Sequence, residues 1–418
     1  MPSLRLALLL LAACVAPPPA PCVGTLRGTI EWEGHYARPH ATSTAQLAMS
    51  LRSEQGRARL ELTETSAAGR TATPAFAVVR EADGSCWVRE EGETHFRADA
   101  GDGERLLDVV QEAVGAQPAD VDRAHERLYQ HPRLGEVADR AVWRASPEGL
   151  RLEIAWHRAT ASMRATLTPQ DASLAAELPL VAEPRDPQPV PRTTPPARFR
   201  TIAPGVHEIV LVDAESRSLA IEFADHLVLC EASLDNQAGE RLLAALDAHL
   251  PNKPVRFVLF GHYHPHYTGG LRPVMARGAV VVAPPLGAAF AREIAARAFR
   301  SPPDALARSG REVAIESFVG ERRFADADNE LVAIDIGAQS HHTDEYVVFW
   351  LPRQRLLFQG DLGWFGPDDA PRAGGRRARG LLQAIDERNL PVETLLQGWP
   401  VLGSGRLPLQ RLRELLAP

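Results

Sequence analysis

The sequence predicts two domains of different class: a β-rich domain of α+β type, followed by a layered α/β domain. Three observations predict this. Residues 183–198, EPRDPQPVPRTTPPAR, are dense in proline and polar side chains, a composition that stays extended and cannot build a core. Before that segment, apolar and polar residues alternate with period two, as in Arg57-Ala58-Arg59-Leu60-Glu61-Leu62 and Leu152-Glu153-Ile154-Ala155-Trp156, the pattern of strands with one buried face. After it, apolar strand-like runs alternate with helical periodicity, as layered α/β domains require. At 418 residues the chain has room for both. The boundaries expected are a leader and tether over 1–23, the first domain over 24–182, the linker over 183–198 and the second domain over 199–418. No internal repeat is visible.

The leader is read from Arg5 followed by the apolar stretch Leu6 to Ala13. That stretch is too short to span a bilayer but fits the core of an export signal. Leu11-Ala12-Ala13-Cys14 resembles the lipobox of bacterial lipoproteins, in which the cysteine carries lipid. The expectation is an exported chain on the periplasmic face of the envelope, anchored to a membrane surface through Cys14 rather than spanning it; cleavage near the following Pro/Ala segment, without lipid, is the alternative. Of the four cysteines, Cys22 and Cys86 could pair in an oxidising compartment, and Cys230, inside the apolar run Leu227-Val228-Leu229, reads as a buried thiol. Acidic residues outnumber basic ones, 53 to 46, which argues against nucleic acid as a partner.

Within the first domain, Asp83-Gly84 between Ala77-Val78-Val79 and Cys86-Trp87-Val88 predicts a hairpin. Helical spacing appears over 103–115 and 118–129. A curved antiparallel sheet with helices on one face follows. His35, His40, His95, His125, His131 and His157 are scattered without ligand spacing and assign no chemistry here.

In the second domain, strands are expected at Val206 to Leu211, Ser218 to Phe223, His226 to Glu231, Val255 to Phe260 and Ala279 to Val282, with further strands near 330–336, 345–351 and 355–358. Helices are expected at Gly239 to Leu250 and Leu286 to Phe299. The loop after Phe260 reads Gly261-His262-Tyr263-His264-Pro265-His266-Tyr267-Thr268-Gly269-Gly270. Three histidines in five positions after a buried strand can aim imidazoles at one metal ion, and the two glycines let the chain turn beneath them.

These residues carry a resemblance to the metallo-β-lactamase superfamily, whose signature is H-x-H-x-D-H followed by x-G-G. Downstream, Ser340-His341-His342-Thr343-Asp344-Glu345 is similar to the family's G-x-x-H-T element through His342, and Leu357-Phe358-Gln359-Gly360-Asp361 to its L-F-x-G-D element. The resemblance spans residues 199–418 and implies a four-layer αβ/βα sandwich with metal at one edge. It implies metal ligands His262, His264 and His342 for a first ion, with Asp361 placed to bridge to a second. The chain departs from the family at the second position: His266 stands for the loop aspartate, Tyr267 for its neighbouring histidine, and Trp399, in Leu396-Gln397-Gly398-Trp399-Pro400, for the last histidine.

Three readings follow. One zinc ion on three histidines, with an open position, lowers the pKa of bound water to about 7; the chain is then a mononuclear hydrolase of a small-molecule substrate, with Asp361, His266 or Tyr267 assisting. His262, His342 and Asp361 alone would suit non-haem iron, as in the superfamily's sulfur dioxygenases. An altered second position also fits a non-catalytic binding module of the envelope. Asp344 is expected to orient the histidine loop or to face solvent. His207, His226 and His249 read as structural, and the run Arg372 to Arg379 reads as a solvated loop.

Overall fold

A computed structural model describes residues 22–33, 38–65, 76–90, 96–98, 102–115, 121–157, 162–170, 178–185, 195–300, 302–366, 368, 375–401 and 403–417. The export signal and Cys14, the side chain of Cys22 with its candidate pairing to Cys86, His35, His95 and most of the proline-rich stretch lie outside them. Among the described residues no helix is long and apolar enough to cross a membrane.

The first part is one antiparallel sheet of ten strands. From one edge to the other these are Arg97–Ala98, Cys86–Glu90, Phe76–Arg80, Arg57–Thr65, Thr42–Glu54, Cys22–Glu33, Ser162–Gln170, Gly149–His157, Gly135–Ser146 and Ala124–His131. The helix Asp102–Gly115 lays Leu106, Leu107 and Val110 on Leu47, Met49 and Trp143 of the sheet. The Trp143 indole donates to Ala113 O at 2.7 Å, which satisfies its buried N–H. The Asp83-Gly84 hairpin forms as a wider loop: Glu81 N donates to Ser85 O, and Gly84 adopts φ +84°.

One expectation for this domain fails. Of the segment 118–129, expected helical, residues 118–120 lie outside the described residues, and 124–129 belong to the edge strand Ala124–His131, which pairs antiparallel with Gly135–Ser146. Local spacing gave the helix, but a tight turn at 132–134 offers the backbone a full ladder with the next strand, and the side chains then alternate across the sheet. Tertiary pairing overrides weak local periodicity.

The second part is a sandwich of four layers. One sheet of seven strands runs Arg198–Ala203, Val206–Leu211, Ser216–Glu222, Leu227–Cys230, Val255–Leu259, Val280–Ala283 and Ile315–Ser317. A second, of six strands, runs Glu321–Ala325, Glu330–Asp335, Val347–Leu351, Leu356–Gln359, Thr394–Gln397 and Arg406–Pro408. Leu219, Val228, Leu259 and Val282 of the first sheet meet Leu331, Phe349, Phe358 and Leu396 of the second in a buried inner core. The helices Asn236–His249, Leu271–Ala276 and Pro285–Ala296 cover the outer face of the first sheet through Leu242, Leu246, Val274, Phe290 and Ile294. Arg376–Glu387 and Leu409–Leu416 cover the second through Leu381, Ile385 and Leu412. Burial on both faces is why the strands Leu227–Cys230 and Val280–Ala283 read as unbroken apolar runs rather than alternation. Cys230 is a fully buried thiol of this core.

The two parts touch. Arg38 donates to Asp344, His40 lies between Glu33 and Glu293, and Glu136 N donates to Ala298 O at 2.7 Å. The first domain therefore rests against the helix Pro285–Ala296 and against the loop that carries His342. Asp344, expected to orient the histidine loop or face solvent, pairs with the exposed Arg38.

Candidate metal centre

His262 and His264 follow the strand Val255–Leu259 and precede a one-turn helix, Pro265–Thr268, of which His264 is the N-cap residue. Pro265 fixes the first helical φ without wasting a hydrogen bond there. The loop is pinned on both sides. Gly261 N donates to both carboxylate oxygens of Glu231 at 3.1 Å, and Val347 N donates to Gly261 O. Ala232 N donates to Tyr267 O and Leu234 N to Pro265 O. Thr268 Oγ1 donates back to Tyr263 O and His264 O, both at 3.0 Å.

Gly269 and Gly270 serve the loop in a different way from the turn expected. Their φ values, −61° and −91°, suit any residue. A Cβ on Gly269, however, would lie 1.6 Å from Leu234 O, and one on Gly270 would lie 2.9 Å from both Gly239 Cα and Ser233 O. The glycines allow the loop to press against the chain at 233–239, a close approach rather than a special dihedral.

The third histidine comes from the other sheet. Ser340 Oγ accepts from His342 N and Thr343 N and donates to Thr343 O, and Asp335 Oδ1 accepts from Gly337 N and Tyr346 N. This stiffens the connection between Glu330–Asp335 and Val347–Leu351, from which His342 projects. Adjacent His341 sits in the left-handed region, φ +51°, outside the cluster.

His262, His264 and His342 each offer a ring nitrogen, and these atoms lie within 4.8 Å of one another. His262 Nε2 and His264 Nδ1 are 2.9 Å apart. Burial, reinforced by the neighbouring imidazoles, pushes the His262 pKa far down, so the ring is neutral. Neutral imidazoles with converging, buried nitrogens are the donor set that a divalent transition metal requires, since ligation needs deprotonated rings. His342 Nε2 makes no aligned hydrogen bond. The residues present fit one metal ion.

The other half of the centre is built differently. Asp361, 5 % exposed, follows the strand Leu356–Gln359. Gln359 Oε1 shapes its loop by accepting from Leu362 N and Gly363 N. Asp361 Oδ1 accepts from Tyr346 Oη at 2.9 Å; Oδ2 lies 3.2 Å from His342 Nε2 and accepts from Arg377 Nη1 at 3.2 Å. Burial alone would raise the Asp361 pKa. Its contacts with His342, Arg377 and Tyr346 outweigh that and hold the carboxyl below its usual range.

Tyr267 is 2 % exposed, with a buried hydroxyl that has no hydrogen-bond partner among the described residues. Burial and the Asp361 charge push its pKa far up, so it stays a phenol. The hydroxyls of Tyr267 and Tyr346 crowd Gly360, where a Cβ would lie 2.6 Å from Tyr346 Oη. His266 lies outside the three-histidine cluster, its ring 4.3 Å from that of Trp399, which in turn meets Trp364 edge-on at 5.8 Å.

Sequence reasoning missed Glu231, Tyr346 and Arg377. Glu231 ends an apolar strand, is fully buried, and has a pKa driven up by burial against the pull of Gly261 N. A charged residue closing an all-apolar run was the available signal. Arg377 belongs to the run read as a solvated loop. The described part of that run instead opens the helix Arg376–Glu387, whose packing through Ala378 and Leu381 turns Arg377 toward Asp361. His207, His226 and His249 contact Thr201 and Glu222, Asp225, and Ala245 O respectively, away from the centre.

Residues 216–399 match the family model of the metallo-beta-lactamase superfamily, and the second part of the chain is a domain of that superfamily with its αβ/βα sandwich. No curated protein sequence matches the chain. Among solved structures it is similar to a metallo-beta-lactamase from Pontibacter korlensis, at 18 % identity over 53 % of this chain and 97 % of that one, with a TM-score of 0.39. It is also similar to the metallo-beta-lactamase FIM-1 from Pseudomonas aeruginosa in its mono-zinc form, at 17 % identity over 53 % and 93 %, with a TM-score of 0.38. The metallo-beta-lactamase DIM-1 matches at 14 % over 53 % and 95 %, with a TM-score of 0.39.

Proposed function

We propose that the second domain is a hydrolase that works with a single zinc ion held by His262, His264 and His342, acting on a small-molecule substrate. The observation that carries this is the contrast at Asp361. The imidazoles of His262, His264 and His342 bring ring nitrogens within 4.8 Å of one another, while the carboxylate that could recruit a further cation is already engaged by the Arg377 guanidinium and by Tyr346. Held by these three imidazoles, zinc would supply polarisation of a substrate carbonyl or phosphoryl oxygen and activation of water near neutral pH.

The chain's own residues do the rest. Asp361 accepts a proton or fixes the direction of the attacking water, held in place by Tyr346. Tyr346 and Tyr267 wall the base of the centre and exclude water there. In this reading His266, whose ring lies 4.3 Å from that of Trp399, relays protons toward solvent. An all-histidine set favours zinc over the iron reading, because Asp361, although beside His342, is also tied to Arg377 and Tyr346. Turnover by the zinc-loaded protein of a panel of ester, thioester, lactam and phosphoester probes, with metal-stripped protein as blank, tests the reading; a panel indistinguishable from blank would leave a non-catalytic module in its place. Export with a lipid anchor is part of the same proposal, motivated by the lipobox-like stretch before Cys14. Cys14→Ser should release the protein from the membrane fraction, and unchanged fractionation would remove the anchor.

A further inference from the structure

One imidazole bonds to both domains. His40, just before the strand Thr42–Glu54, presents Nδ1 to Glu33 Oε1 of its own domain at 2.7 Å. It presents Nε2 to Glu293 Oε2, on the second-domain helix Pro285–Ala296, at 2.6 Å. A carboxylate oxygen only accepts hydrogen bonds, so both ring nitrogens must donate, and only the imidazolium carries a proton on each. A neutral ring keeps a single N–H. It would turn a lone pair on one carboxylate and break either the bond within its own domain or the bond across the interface.

The ring is exposed and borders a cleft of about 390 Å³ between the domains, so solvent protons reach it. Charged and titratable groups face that cleft from each element around it: Glu33, Arg133 and His157 from the first domain, and Glu293, Arg297 and Tyr263 from the second. Glu33 also attracts Arg133, and both carboxylates attract Arg297. Burial pushes the two guanidiniums down to about 10, which leaves them charged through the range in which an imidazole titrates. His157 turns to Asp139 at 3.6 Å instead. Burial alone would lower the His40 pKa; its contacts with Glu293 and Glu33 outweigh that and raise it. The other contacts across this interface, Arg38 with Asp344, Arg297 Nη1 with Arg133 O and Glu136 N with Ala298 O, use no imidazole. The His40 contact also lies close to the metal loop. Phe290 stands 6.2 Å from the His40 ring and 5.6 Å from that of Tyr263, the residue between His262 and His264.

We propose that His40 is a pH-operated latch between the domains: protonated, it holds the first domain against the helix Pro285–Ala296, and deprotonated, it releases that edge and widens the cleft beside the metal loop. This goes beyond the hydrolase reading and does not depend on it. The sign follows from linkage. A histidine whose pKa is higher in the docked form than in the released one stabilises docking below its ordinary value of 6.5, and that contribution is lost as pH rises through the raised value. The first domain thereby has a role: it covers the flank of the metal loop at acid pH and uncovers it above neutrality.

Small-angle X-ray scattering of the full chain from about pH 5 to about pH 8, a range that brackets an imidazole, tests the latch. The His40 ring is titrated in parallel by NMR, with His40→Gln identifying its signal. The radius of gyration of the parent should rise with pH along the His40 titration, whose midpoint should lie above 6.5. His40→Gln should show the larger radius at every pH. His40→Arg, charged throughout and able to donate to both carboxylates, should keep the smaller radius to the top of the range. Glu293→Gln removes the acceptor across the interface and should lower the midpoint and flatten the scattering response. His40 is exposed, so these variants should fold as the parent does. Three results would overturn the proposal: a His40 midpoint at or below 6.5, a parent radius that does not change with pH, or the same rise in His40→Gln as in the parent.

Discussion

The two halves of the centre sit at one edge of the same sandwich and differ in kind. One half is three imidazoles close enough to share a cation, with the His262 ring held neutral by burial. The other is a carboxylate already satisfied by a guanidinium and a phenol. The difference teaches that a cation site can be replaced by a cation. Arg377 brings permanent positive charge to the carboxylate, and a guanidinium already on a buried carboxylate repels a further cation there.

The largest effect should come from breaking the first half. Replacing His262 and His264 together with alanine removes two of three donors and should abolish metal uptake, read as metal per chain after dialysis. Retained metal in that variant would show that the ligands lie elsewhere.

A smaller but more selective effect should come from Asp361→Asn. If the carboxylate directs water rather than holding the ion, turnover should fall by about 10²–10⁴-fold, the range for a general acid–base group, with metal content nearly unchanged. His266→Ala should cost activity less and also leave the site loaded. Loss of metal in parallel with activity in Asp361→Asn would move Asp361 into the ligand set.

Much of this centre was legible in the sequence, and the reason is local. His262, His264 and His342 lie in two short loops after apolar strands, and the second domain alternates elements with clear apolar runs. Tyr346, Glu231 and Arg377 reach the centre from separate loops and a helix, 15, 30 and 16 residues from their hydrogen-bond partners Asp361, Gly261 and Asp361. Apart from the apolar run that Glu231 closes, nothing in their immediate neighbours marks them. The same physics explains the misread segment at 118–129, where a strand ladder with Gly135–Ser146 is a non-local event.

Scaffold and centre can be separated by an ion pair behind the loop. Arg272 forks onto Asp304 at 2.6 and 2.9 Å with both side chains nearly buried. Arg272→Ala strands a buried carboxylate and should cost about 3–5 kcal/mol of stability, seen as a lower Tm, with metal stoichiometry unchanged in the folded fraction. Burial would raise Asp304, but its bonds to Arg272 and Ala307 N outweigh that and lower its pKa. A carboxyl lowered in the folded state stabilises above its unfolded pKa, and that stability is lost as pH falls through the acid range. The parent should therefore lose stability on acidification more steeply than Arg272→Ala, read from Tm against pH; parallel curves would remove the pair from the account.

The smallest effect should come from Arg377→Lys, which keeps the charge beside Asp361 and should change neither metal content nor fold, whereas Arg377→Leu should release Asp361 and alter turnover.

The central claim is that one half of the centre takes a metal and the other half has its own cation. Elemental analysis of the purified full chain, expressed as metal per protein, tests it most directly. The account predicts one equivalent of zinc, unchanged when excess zinc is added and dialysed away. Two tightly held equivalents, or none after zinc loading, would contradict it.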